Sequence, residues 1–248
     1  QISPDAFLSN KVYYNKYEDD RRVTFTSNPA GSASRQRRLW DEKQVGFMSN
    51  LTWRTSDQLT LDAGINTEQQ DNGYGRQRFA YALPTDFSTP VQIQNDDRYS
   101  FDNVGAYVQA IIRPFDGFKI VPGYRVDKFN GHTLARTTGI EGRLQDSGWI
   151  DQPKLSMVYS PVDSVSVYAN WGRTFQVLTG SGGPAYLVPG QTTFEPSINT
   201  GKELGVKFKP APRTDLRLAV WRQDATDEVA NMPATGTTVG LGETRREG

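Results

Sequence analysis

The chain contains no cysteine and a single histidine, His132. The first absence excludes disulfides and thiolate metal sites, and the second excludes a histidine-built metal cluster or a conventional catalytic triad. There is no excess of either charge. Lys+Arg and Asp+Glu both number 28, so the composition implies no polyanionic or polycationic partner, nucleic acid included. No apolar run approaches the roughly 18 residues of a membrane-crossing helix. Residues 1–10 lack the basic start and apolar centre of a secretory leader. Apolar residues at helical spacing are missing over any useful length. The hydrophobic content of 36% is low for a soluble core built from 248 residues. With 23 Gly and 11% aromatics, it suits strands that are apolar on one side only.

What is present is alternation. In 153–175, PKLSMVYSPVDSVSVYANWGRTF, Leu155, Met157 and Tyr159 share one face and Lys154, Ser156 and Ser160 the other. After Ser160-Pro161-Val162-Asp163, which supplies turn chemistry, Val165, Val167, Ala169 and Trp171 oppose Ser164, Ser166, Tyr168 and Asn170. This reads as a hairpin with a very short connection. The pattern recurs at 11–19, 40–53, 59–66, 99–113, 119–127, 203–208 and 216–220, with a strand start at 242–248. Connections alternate between short, around Ser56, Asp116, Val162 and Arg213, and long, after Gln69, Asn130, Gln176 and Thr226. Aromatics gather beside the short turns: Trp53, Phe115, Phe118, Tyr159 and Phe208.

Periodicity alone does not say whether the apolar face points into a core or out to lipid. A soluble sandwich or lipocalin-like barrel would bury it. A transmembrane barrel would turn it outward and keep Lys119, Arg125, Asp127, Lys154, Glu203 and Lys207 in a wet lumen. Strands longer than the soluble mode of about five or six residues favour the membrane reading. So do the short and long rims and the aromatic girdle at the short-turn ends.

Several segments, taken in order, resemble the C-terminal barrel of TonB-dependent outer-membrane receptors of the ferric-siderophore type. PKLSMVY with SVSVYANWGRTF resembles paired barrel strands of that family. FEPSINTGKELGVKF, 194–208, is similar to its aromatic-acid-Pro cluster followed by E-x-G-x-K. LRLAVWRQDATD with GETRREG resembles the next pair, and Tyr107-Val108-Gln109 and 123–127 fit its Y-x-Q and G-x-R-x-D strands. The resemblance implies an all-β fold: an antiparallel up-and-down transmembrane β-barrel segment, about ten strands of a 22-stranded barrel, open at both edges. Residues 1–248 are then expected to be an internal part of the barrel domain, with the plug domain and the final strands absent. The implied function is uptake of a ferric siderophore across the outer membrane of a Gram-negative bacterium with TonB-supplied energy. The partners are the iron chelate, TonB through the missing N-terminal region, and outer-membrane lipid. No enzymatic role and no cofactor are implied. Cobalamin, haem or a glycan as cargo remains open, as does a soluble or surface β-barrel or sandwich that binds a ligand.

Candidate ligand contacts fall in YGRQRFAY: Tyr74, Arg76, Arg78, Phe79 and Tyr81 mix guanidinium and aromatic groups as a mouth for an anionic aromatic chelate would. The bland alternative is a loop packed on its own aromatics. Gly180-Ser181-Gly182-Gly183 fails the phosphate-loop spacing and reads as a flexible loop. Asn50-Leu51-Thr52 fits a glycosylation pattern but lies mid-strand. Asp19-Asp20 and Asp96-Asp97 read as solvated loop charges, and His132 as an exposed loop residue. Nothing meets the requirements of a catalytic constellation. The face assignment puts Val108, Ile120, Leu155, Val167, Val206 and Leu218 on the convex side of a trough. Lys119, Arg125, Lys154 and Lys207 fall on its concave side.

Overall fold

Two-residue alternation makes half-apolar strands, and strands are what the chain forms. The computed structural model describes residues 3–25, 34–71, 76–81, 90–143, 148–176, 195–232 and 237–248. These hold twelve strands in a single sheet. The first six are β1 (Ala6–Phe25), β2 (Ser34–Arg54), β3 (Leu59–Asp71), β4 (Arg76–Tyr81), β5 (Gln92–Ile112) and β6 (Phe118–Ala135). The others are β7 (Ile140–Arg143), β8 (Ile150–Val162), β9 (Val165–Gln176), β10 (Ser197–Ala211), β11 (Thr214–Met232) and β12 (Thr237–Glu247). Their order is β1-β2-β3-β5-β6-β8-β9-β10-β11-β12, with β4 against β2 and β5 and with β7 against β6. Every pairing is antiparallel. The ten-strand path is the expected meander. Among the described residues β1 and β12 do not pair, so both edges are open.

Register fixes the faces, because directly opposed residues share one. Tyr159↔Val167, Val167↔Val206 and Val206↔Leu218 make one apolar row across four strands. Leu51↔Ala63 and Ala63↔Val108 continue the same face on the other half. It is bare: Val108, Val167, Val206 and Leu218 are 53%, 38%, 39% and 77% exposed. Ile120 and Leu155 lie on it half-buried. At its short-turn end Phe115, Phe118 and Tyr159 pack together, with Phe115 and Phe118 stacked at 5.1 Å.

The opposite face is polar. Its hydrogen bonds jump a strand: Tyr13 of β1 to Glu68 of β3, Tyr107 of β5 to Asn50 of β2, and Arg125 of β6 to Asn66 of β3. Strands two apart are separated by roughly 9.6 Å of sheet, twice the spacing of neighbours. Side chains span that most readily where they converge, so the polar side is the concave one. The buried residues include several polar ones: Asp127, at 1% exposed, with Gln152 and Ser197. The usual arrangement is inverted, with the apolar surface outside.

The structure corrects the boundaries. The long connection at 69–97 is interrupted by β4, and β5 begins at Gln92 rather than Tyr99. β6, β7 and β11 likewise extend into the expected loops after Asn130 and Thr226, and β2 starts at Ser34, ahead of the alternation read at 40–53. Polarity at these strand ends imitated loop composition, whereas a strand projecting beyond an apolar band needs no apolar face. Asp19-Asp20 and Asp96-Asp97 are therefore strand residues of β1 and β5, and His132 is an exposed residue of β6 opposite Ser100. Pro161 falls within β8, at a register shift between Tyr159 and Val162, and the turn follows at 163–164. Gly180-Ser181-Gly182-Gly183 lies outside the described residues, as do 177–194 as a whole.

Candidate functional site

Alternation puts one residue in two onto the concave wall, and there the polar residues pair with each other. Near the short turns, Asp62 accepts from Thr52 at 2.7 Å and from Gln109 at 3.1 Å. Midway, Arg125 grips Asp127 through two bonds of 2.6 Å and also donates to Asn66 at 2.7 Å. Gln152 donates to the same carboxylate at 2.6 Å. Asp127 is thus buried yet fully engaged, which a carboxylate in that position requires. On β9–β11, Arg217 donates to the Tyr168 hydroxyl and to Glu203, both at 2.6 Å, while Lys207 and Arg217 flank the Tyr168 ring.

Toward the long-connection end the wall becomes aromatic, with Glu42 among the rings. Glu42 accepts from the Tyr99 hydroxyl at 2.6 Å and from the Trp40 indole at 3.2 Å, and Tyr17 meets Trp40 edge-on at 6.3 Å. Phe101, Phe129 and Phe175 form a cluster with centroid separations of 5.3 and 5.1 Å. On the outward face at this level Arg37 bonds both oxygens of Asp20, and this hydrogen bonding holds the Asp20 carboxyl below its usual range. Arg136 pairs with Asp96, which shares the outward face of β5 with Val104 and Val108. These charged pairs stand beyond the apolar rows.

Four of the sequence-derived candidates lie in β4. Arg76 stands opposite Trp40 and Arg78 opposite Arg38, while Phe79 and Tyr81 stand opposite Arg37 and Arg35. Tyr74 lies outside the described residues. Sequence reading missed Trp40, Glu42 and Tyr99. Their one signal, the pairing of β2 with residues beyond β3, required the register.

Among the described residues no cluster of histidine and acidic side chains could hold a metal ion. The wall offers hydrogen bonding, ring stacking and paired charge.

A family model, TonB dependent receptor-like, beta-barrel, matches residues 3–248. The chain belongs to this family. It matches no curated protein by sequence. Solved structures share its fold at low identity. The ferric citrate transporter FecA, in its unliganded form, matches with a TM-score of 0.76 and 16% identity, over 100% of this chain and 36% of FecA. The copper transporter OprC gives 0.68 and 15%, over 99% of this chain and 39% of its own. The ferric-catecholate import receptor Fiu from E. coli K12 gives 0.65 and 18%, over 99% and 42%. The chain therefore spans well under half the length of each. In this family the bare convex face is the lipid face of a β-barrel and the polar concave wall is its lumen.

Proposed function

We propose that the protein containing this barrel wall imports a ferric siderophore across the outer membrane of a Gram-negative bacterium, using energy supplied through TonB. The observation that carries this reading is the family match along residues 3–248. It is supported by the bare apolar exterior joined to a hydrogen-bonded polar lumen. Two of the structures with the same fold carry names that assign them iron chelates, ferric citrate and ferric catecholate.

In this reading the wall does no covalent chemistry. Long connections at one rim capture the chelate, with Arg76, Arg78, Phe79, Tyr81 and Tyr74 contributing guanidinium and aromatic groups to the mouth. A large anionic chelate suits such a surface because guanidinium groups offer paired donors and aromatic rings offer stacking area. The chelate then passes along a lumen in which Asp127 and Glu203 are already paired with Arg125 and Arg217.

Accumulation of radioactive iron tests the proposal. Cells lacking the gene should lose uptake of one iron chelate from a panel of citrate, catecholate and hydroxamate complexes. Restoring the gene should restore that uptake only when TonB is present. Unchanged uptake of every chelate, with loss of cobalamin, haem or glycan uptake instead, would overturn the siderophore assignment and keep the transport class.

A further inference from the structure

A glycine within a strand contributes no side-chain packing, and it marks a bulge, a bend or a place where another group comes close to the backbone. Most strand glycines of the lumen wall meet that group within this chain. The phenol ring of Tyr13 lies over Gly46, that of Tyr107 over Gly64 and that of Tyr168 over Gly205, each so close that an added Cβ would collide with it. Gly105 is covered by Arg125, Asp127 and Asn66. Gly201 differs, since a Cβ there would meet nothing within 4 Å. Its partner across the ladder is Gly172, whose nearest neighbour is the Cγ of Lys154. These two glycines floor a hollow of 460 Å³ on β8–β11, walled by Lys154, Asn170, Glu203 and Trp221.

We propose that this hollow is a binding subsite for a hydroxylated aromatic ring, a phenol or catechol, borne by the chelate in passage. The inference rests on the transport reading above. Its ring chemistry comes from the three filled positions. In each, a tyrosine ring covers bare backbone while its hydroxyl finds a polar partner: Tyr13 donates to Glu68 at 2.5 Å, Tyr107 donates to Asn50 at 2.9 Å, and Tyr168 accepts from Arg217 at 2.6 Å. Gly201 repeats the bare backbone without a ring, beside Gly172, which the stem of Lys154 borders. The indole of Trp221 supplies a stacking or edge surface at its side. The exposed Lys154 and Asn170 side chains supply the polar partners, and neither side chain makes a hydrogen bond or ion pair among the described residues. The carboxylate that would repel a catecholate, Glu203, is already held by Arg217 at 2.6 Å. A ring with adjacent hydroxyls can stack on the floor and turn its oxygens to the Lys154 ammonium, which favours the ionised form.

Free catechol is the probe, with saturation-transfer NMR on the purified full-length receptor in detergent. Wild type should transfer magnetisation to the catechol ring. Gly201→Leu, which grows into open space, should reduce the transfer at least ten-fold with the melting temperature of the barrel unchanged. Lys154→Met, at an exposed side chain, is the second variant and should reduce it about three-fold by removing the charge-assisted bond. Equal transfer in wild type and both variants would overturn the subsite. No transfer in wild type would also overturn it, because the hollow is then closed to a small ring or filled by a ring of the protein itself. Binding of catechol is read independently of iron uptake, so failure of the subsite with uptake intact is distinguishable from failure of the transport assignment.

Discussion

Gly205 and Gly201 occupy equivalent positions on one face of β10, four residues apart in sequence, and their surroundings give opposite consequences for the same substitution. Gly205 lies under the Tyr168 ring, which is itself pinned between Arg217 and Lys207. An added methyl there must displace a ring that cannot easily move, so Gly205→Ala should cost about 1–3 kcal/mol by overpacking. Gly201→Ala meets open space and should stabilise the strand by about 0.5–1 kcal/mol, the usual disadvantage of glycine in a strand. Thermal unfolding of the two variants in detergent, followed by the gel shift of the folded barrel, reads the difference. Loss of stability in both would mean that Gly201 is also covered. Arg125 and Asp127 make the complementary case for charge. Arg125→Met strands a carboxylate that is 1% exposed and should destabilise by about 3–5 kcal/mol. Asp127→Asn with Arg125→Met in the same chain should recover part of that loss. No recovery in the double variant would show that packing of the Arg125 side chain, rather than its charge, carries the effect.

At the level of the strand, one residue decides between lipid and lumen, and neighbours in sequence face opposite solvents. Val206 stands in the apolar row with Val167 and Leu218, between the aromatic short-turn end and the charged residues farther up. A guanidinium at mid-membrane on the lipid side costs roughly 2–4 kcal/mol. Val206→Arg should therefore reduce the yield of folded receptor in the outer membrane. Gln109→Arg places the same group on the lumen wall, where Asp62 already accepts a hydrogen bond, and should leave the yield unchanged. Equal yields would mean that the apolar face is not against lipid.

Strand faces were legible in the sequence because alternation is local: the rows through Val108, Val167 and Leu218 follow from the order of residues alone. Strand ends were not. β4 and the outer parts of β5, β6 and β11 carry Arg, Asp, Asn and Gln on both faces, so nothing in their composition separates them from loops. What stabilises them is pairing with a strand distant in sequence, as Arg76–Tyr81 do with Arg35–Trp40. The same holds for the site. The polar composition of the wall was legible, but the contacts of Glu42 with Tyr99 and of Arg125 with Asn66 depend on register and curvature.

The whole sheet has an orientation as well as two faces. Its ends differ in kind: turns at 55–58, 113–117, 163–164 and 212–213 are tight, whereas the opposite end carries strand extensions and the long connections. Lipid cannot satisfy bare backbone groups, so a sheet of this kind must continue its pairing at β1 and β12 in the intact protein, and it cannot invert once closed. In outer-membrane barrels the short turns face the periplasm and the long loops the exterior. The chain has no cysteine of its own, so a thiol introduced into it is unique within these 248 residues. Thr137 lies in the exposed turn between β6 and β7, at the far end from Asp116, which lies in the turn between β5 and β6. Thr137→Cys should label in intact cells with a membrane-impermeant maleimide. Asp116→Cys should label only after the outer membrane is opened. Labelling of Asp116→Cys in intact cells would reverse the orientation, and with it the proposal that the long connections capture the chelate.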